Sequence, residues 1–256
     1  MAVSLVSLLL NTWLTIPWLD YSKTGKDSKA DLRIFHINVL FKNLEYLSIT
    51  EQIRKEKPTF ISINEATPTF IHFFKKAFAR EYPYTFHVAA KNNTQVLVGS
   101  QSPFIVDSAA SFSVKGIIKF TTFIKDKPLT IIACHAYNPL VLKDFEMRNQ
   151  QLKHIAQLLK KETSPAIVVG DFNITPWSVF YQDFIKESSL RNCRKGFGLY
   201  PTWPALFLPM RIPIDHCLIN NQLETADFRV GNNVKSDHLP LVIDLRFATS
   251  SVSSGK

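Results

Sequence analysis

At 256 residues with 46% hydrophobic content, the chain is long enough to bury a sizeable core in one sheet-rich domain. A formal excess of +9 suits anionic partners such as phosphodiesters, nucleic acid or acidic lipid headgroups without choosing among them. The three cysteines, Cys134, Cys193 and Cys217, have no CxxC or Cys/His spacing, which argues against a disulfide framework or a zinc site.

Residues 1–19 carry no charged side chain and sit at the lower length limit for crossing a bilayer. Asn11, Thr12, Thr15 and Pro17 weaken such a span, whereas Trp13 and Trp18 suit a headgroup layer. No basic n-region or small-x-small cleavage site marks a signal peptide. The competing expectation is an apolar arm packed on the domain. Residues 20–31 are polar and charged and read as a linker.

The domain is expected over 32–247. Its apolar, β-branched runs are LRIFHIN, TFISINE, TQVLVGS, GIIKFTTFI, LTIIACH, AIVVGDFN, IPIDHCLIN and LPLVIDL. Helical spacing covers Tyr46 to Lys57, Thr69 to Glu81 and Phe145 to Glu162, and a short helix is predicted over Pro176 to Ile185, capped by Thr175. Residues 248–256 lack apolar periodicity and read as a disordered tail. Many strands, a hairpin-like pair from Gly116 to Cys134 and no strict strand-helix alternation predict an α+β sandwich with helices on its outer faces.

Five apolar runs end in, or closely precede, a polar residue that a buried strand has no reason to carry: Asn38, Glu65, His135, Asp171 and Asp215. By strand alternation Ile61 and Ile63 share Glu65's side, Ile167 and Val169 share Asp171's, and His36 shares Asn38's. Carboxylates emerging from apolar stripes must be paired, hydrogen-bonded or metal-bound. Each residue alone also has a plainer reading: Asn38 as a turn former, Glu65 as a helix cap, Asp171 as an Asx turn. Their joint occurrence with SDHLP (Ser236 to Pro240) and PIDH (Pro213 to His216) favours a site. Adjacent Asp237 and His238 point to opposite faces of an extended chain, so His238 needs a partner from elsewhere, and Asp215 is the choice.

The ordered set Asn38, Glu65, His135, GDFN (Asp171, Asn173), Asp215 and SDH (Asp237, His238) resembles the endonuclease/exonuclease/phosphatase superfamily. That resemblance implies a four-layer α/β/β/α sandwich, two packed mixed sheets flanked by helices. GDFNITPWS, GFGLYPTWPA and RIPIDHCLIN look like stretches of bacterial membrane-anchored members, in which transmembrane helices precede the domain. Residues 1–19 would then be the last such helix. The linker lysines Lys23, Lys26 and Lys29 favour a cytosolic face, the resemblance a periplasmic one.

The resemblance implies Mg2+ or Mn2+ held chiefly by Glu65, with Asn38 and Asp237 nearby. It makes Asp171 the group that positions or deprotonates water, Asn173 a donor to phosphate oxygen, and His238, held by Asp215, a contact to the scissile phosphate. His135 stands where the DNase I-like branch has a histidine proposed to protonate the leaving oxygen, but Lys91 to Ser100 shows no acidic partner for it. Arg148, Trp203 and Arg211 are candidates for substrate contact. The expected function is a phosphodiesterase, nuclease-like or lipid-headgroup-directed. A phosphomonoesterase and a non-catalytic membrane-tethered binding module are the alternatives.

Overall fold

The computed structural model describes residues 12, 13, 15–19 and 29–249. Among them, strands β1 (Leu32–Asn38), β2 (Phe60–Ala66), β3 (Tyr84–Ala89), β4 (Gln95–Ser100), β11 (Leu223–Val230) and β12 (Leu241–Phe247) form one sheet, ordered β11-β12-β1-β2-β4-β3. Strands β5 (Phe104–Val106), β6 (Ile117–Ile124), β7 (Lys127–His135), β8 (Ala166–Asp171), β9 (Arg191–Asn192) and β10 (Asp215–Ile219) form the other, ordered β5-β6-β7-β8-β10-β9. Only β1/β2 and β7/β8 pair in parallel; the remaining pairs are antiparallel. The sheets face each other, and helices cover their outer faces. This is the α+β sandwich expected from the sequence.

Alternation along each strand explains the layering. The inner stripes, among them Ile34 of β1, Phe60 of β2, Ile131 and Ala133 of β7, Ile167 and Val169 of β8 and Cys217 of β10, meet in a shared core. Opposite residues such as Phe35, Ile37, Ile61 and Ile63 pack beneath helices α1 (Tyr46–Glu56) and α2 (Pro68–Ala77). Ile132 and Val168 pack under α4 (Leu142–Leu159) and α5 (Val179–Ser188); a short α3 (Ser108–Ser113) precedes β6. Thr67 caps α2, accepting from the Phe70 amide at 3.1 Å with Pro68 in the first turn. At α5 the expected Thr175 cap gives way to Ser178, and residues 176–178 form the approach turn.

Two glycines are dictated by close approach. A Cβ on Gly170 would lie 1.8 Å from the Cys134 carbonyl oxygen, so the β7/β8 pair cannot close with any other residue there. Gly116 takes φ +75°, and its carbonyl accepts from the His135 amide at 2.8 Å.

Residues 1–11, 14 and 20–28 lie outside the described residues, and so do most of the anchor and linker readings. Among the described residues no helix is long and apolar enough to cross a membrane. Trp13 is exposed, but Trp18 is buried, its ring 6.3 Å from Trp177 and beneath the Lys195 ammonium. Trp18 thus packs on the domain, while Ile16 and Leu19 beside it are exposed. Of the tail, Ala248 and Thr249 are described, and the Ala248 amide still pairs with the Gln222 carbonyl.

Candidate active site

Strands β1, β2, β7 and β8 all run out at one end of the sandwich; β10 and β12 enter there, being antiparallel to β8 and β1. At this end the inner stripes turn polar: Ile34 gives way to His36 and Asn38, Phe60 to Ser62 and Asn64, Ala133 to His135, Val169 to Asp171 and Cys217 to Asp215. Polar groups this buried need partners, and apart from Asn64 Nδ2 they find them, several across the gap between the sheets. Asn38 Nδ2 donates to Asp171 Oδ2 at 3.0 Å and to Glu65 Oε1 at 3.1 Å. The Asp171 amide donates to Asn64 Oδ1 at 2.9 Å, and Asp171 Oδ1 accepts the Asn173 amide at 2.9 Å.

Glu65 reaches this cluster by a route that simple alternation misses. Ile61 and Ile63 face the helices; a β-bulge between Ile63 and Ala66 puts Glu65 at φ 57° and turns its side chain to the site. Glu65 Oε2 accepts the Phe41 amide at 3.1 Å. Asn173 is also left-handed, at φ 50°. Such strained conformations persist where surrounding structure enforces them, and they concentrate at functional sites.

Asp215, fully buried, is held between two imidazoles. His238 Nδ1 lies 2.8 Å from Oδ2 and His36 Nε2 3.1 Å from Oδ1. Burial alone would raise the Asp215 carboxyl, but the His238 charge and hydrogen bonds from both imidazoles hold it well below the usual carboxylate range. Burial works against charge on His238, yet Asp215 and Asp171 outweigh it and lift the imidazole to about 10. His238 is therefore an imidazolium at neutral pH, with Nε2 3.8 Å from Asp171 Oδ2. Asp171 is raised to about 7 by burial and by the charge of Asp215. His135, 3.9 Å from both Glu65 and Asp171, is pushed down to about 4 by burial and is neutral at pH 7.

A cleft of about 410 Å³ opens over the cluster, lined by Glu65, Asp171, Asn173, Trp203, Asp237 and His238 among others. An adjoining pocket of about 180 Å³ is lined by Glu65, His135, Lys91 and Phe41 among others. Asp237 Oδ2 accepts from Trp203 Nε1 at 3.1 Å, while its buried Oδ1 has no hydrogen-bond partner. Glu65 and Asp237 line the same cleft, Asp237 with an orphaned oxygen, and with the Asn38 carboxamide they offer the hard oxygen donors that suit a divalent cation. Asp171, Asp215 and His238 also bring ligand atoms within 4.8 Å of one another. In that trio, however, Asp215 and His238 already satisfy each other. The Glu65 side is the better place for an ion, and Mg2+ or Mn2+ bound there would offset negative charge on a phosphoryl group.

Arg148 and Arg211, expected at the substrate, have other occupations. Arg148 is buried, donates to the Asn173 carbonyl at 3.0 Å and stacks over Phe145; it supports the loop that carries Asn173. Arg211 binds the carbonyls of Pro204 and Ala205 and braces the loop after Trp203. Asn64 and Ser236 were not singled out from sequence. Ser236 Oγ donates to the Asn38 carbonyl at 2.6 Å and accepts the His238 amide at 3.1 Å. Asn64's signal was available: it lies two residues beyond Ser62, on the inner face.

Two packed mixed sheets whose polar strand ends meet in an Asn/Glu/Asp/His cleft define a phosphoester hydrolase of the DNase I-like fold. Residues 35–238 match the model of the Endonuclease/Exonuclease/phosphatase family, and the chain belongs to that family. The fold is similar to that of D. rerio TDP2 complexed with single strand DNA product (12% identity, TM-score 0.68, covering 84% of this chain and 98% of that one). It is also similar to an AP endonuclease from Archaeoglobus fulgidus (16% identity, TM-score 0.67, 85% and 100%). The human Nocturnin catalytic domain with bound sulfate anion is a third such structure (19% identity, TM-score 0.66, 85% and 94%). Comparison with curated protein sequences gave no match.

Proposed function

We propose that the chain is a Mg2+- or Mn2+-dependent phosphodiesterase. The observation that carries this reading is the position of Asp171, whose Oδ2 lies 3.0 Å from Asn38, 3.8 Å from His238 and 3.9 Å from His135 on the wall of an open cleft. A carboxyl with its pKa lifted to about 7 is poised to take a proton from water near neutral pH. The water oxygen bonds to phosphorus, the opposite ester P–O bond breaks, and the departing oxygen takes a proton from solvent to become an alcohol, while Asp171 returns its own to solvent.

Glu65, Asn38 and Asp237 would hold the ion, which supplies positive charge beside the phosphoryl oxygens. His238, charged and fixed by Asp215, donates a hydrogen bond to a phosphoryl oxygen. Asn173 stands at the cleft as a second donor, although its Nδ2 presently binds the Ala136 carbonyl at 2.9 Å. His135, neutral, serves as a hydrogen-bonding group rather than as an imidazolium acid. The test is hydrolysis of bis-p-nitrophenyl phosphate with Mg2+ or Mn2+, with chelator, and by Asp171→Asn, beside p-nitrophenyl phosphate as a monoester. Metal-dependent diester turnover that collapses in the variant is expected. No turnover with either ion, or an unaffected variant, overturns the reading.

A further inference from the structure

Three separate loops that border the cleft and its adjoining pocket, through Phe41, Leu140 and Trp203, carry exposed apolar side chains. Leu44, 79% exposed, and Phe41 follow β1; Leu140, 83% exposed, follows β7. The third loop leaves the cleft wall at Trp203 and returns at Ile212. Its base is closed by paired hydrogen bonds, Ile212 N to Trp203 O at 2.6 Å and Trp203 N to Ile212 O at 3.2 Å. The Ala205 amide ties the loop to the Asp237 carbonyl at 2.7 Å, and Arg211 braces it from inside. Beyond this brace the loop turns Leu206, Phe207, Leu208 and Met210 outward, with Leu206 86% exposed. A braced loop that spends its ordering on presenting apolar side chains to water is built to be covered.

We propose that this rim is a docking face for a phospholipid bilayer and that the scissile phosphodiester is a lipid headgroup presented there; the second half rests on the phosphodiesterase reading above. Three observations favour a lipid surface over a nucleic acid. First, the rim is mainly aliphatic, whereas strand binding calls for aromatic platforms along a basic groove. Second, the guanidinium groups nearest the cleft are already engaged, Arg148 with the Asn173 carbonyl and Arg211 with Pro204 and Ala205. Third, exposed Lys42 and Lys143 stand on or directly beside the apolar loops and have no carboxylate partner among the described residues, the mixture of apolar and basic side chains that an anionic leaflet takes. Lys42 also lies over the Phe41 ring at 5.5 Å, the posture of an amphipathic side chain at an interface.

The experiment compares the full chain with Leu206→Ser/Phe207→Ser/Leu208→Ser, which touches none of the cluster residues. Three readouts are taken with Mg2+: sedimentation with phosphatidylcholine/phosphatidylglycerol vesicles, release of headgroup phosphate from those vesicles, and turnover of bis-p-nitrophenyl phosphate in solution. The expected result is vesicle turnover reduced at least tenfold in the triple variant with unchanged soluble-diester turnover, which also certifies its fold. Residues 1–19 are the same in both proteins, so the difference between the two is what counts. Equal vesicle binding and turnover by the two proteins overturns the proposal. So does preferential cleavage of a single-stranded oligonucleotide that is lost in the triple variant. Soluble-diester turnover without any action on vesicles refutes the lipid assignment and leaves the phosphodiesterase reading standing. Rim-dependent vesicle binding by a protein that hydrolyses no diester does the reverse for the docking face.

Discussion

The two ends of the sandwich are made from the same strands by the same alternation, yet they finish differently. At the far end the inner stripes close on Leu32, Phe60, Leu129 and Ile219, and the connections are polar: Lys125 and Asp126 in the β6/β7 hairpin, Asn220 to Gln222 between β10 and β11. At the site end those stripes finish on Asn38, Asn64, His135, Asp171 and Asp215, while the connections carry exposed leucines. Polarity is inverted, inside and out. The far end is arranged for stability, and the site end holds buried charge, left-handed backbone and exposed apolar surface that all cost stability.

Substitutions at the two ends should therefore separate activity from stability. Asp171→Asn should lower diester turnover about a thousandfold, read as kcat with saturating Mg2+. In chelator the same variant should be more stable than the parent at pH 8, by about 2 kcal/mol in urea unfolding. The sign follows from a carboxyl whose pKa rises on folding. Ionising it works against the fold, so the penalty builds as pH climbs from the usual carboxylate range through about 7. The difference should shrink towards pH 5, where the parent's Asp171 is protonated; a variant less stable at pH 8 would break the comparison.

Glu65→Gly should cost at least about a hundredfold in turnover and raise the Mg2+ concentration needed, as loss of a hard oxygen ligand requires. It should also raise the melting temperature, by the equivalent of about 1 kcal/mol, because glycine adopts φ 57° without strain. A lower melting temperature would show that Glu65's hydrogen bonds outweigh its backbone strain. His36→Gln, behind Asp215, should reduce kcat about tenfold with KM unchanged, since the second hydrogen bond to the carboxylate positions rather than reacts. At the far end Lys125→Ala removes an exposed pair with Asp31 and should leave turnover unaltered and stability within about 1 kcal/mol.

How much of this was legible in the sequence follows the same division. The central strands were readable because burial on both faces makes them near-continuous apolar runs, and polar residues at their ends then stand out. Asp215 as the partner of His238 could be inferred from alternation. Edge strands β3 and β11 could not: Tyr84–Ala89 and Leu223–Val230 mix half-buried polar and apolar residues, and β11 is bulged between Thr225 and Asp227. Glu65's direction failed for the same reason, since one extra residue in β2 reverses the parity on which alternation depends. Arg148 and Arg211 looked like ligand-binding residues because a guanidinium bound to backbone carbonyls and one awaiting phosphate read alike in sequence. The loop Pro204 to Arg211 is too short to register as a hydrophobic segment, and only its closed base shows that its leucines point outward.

The amide of Asp171 belongs to one sheet and the Asn64 side chain that receives it belongs to the other. With Asn38 to Asp171 and His36 to Asp215, it works as a rivet joining two plates otherwise held by oily contact. The reaction centre is thus also the fastener of its own end of the sandwich, and the exchange rate of that single amide proton gauges how tightly the plates are clamped.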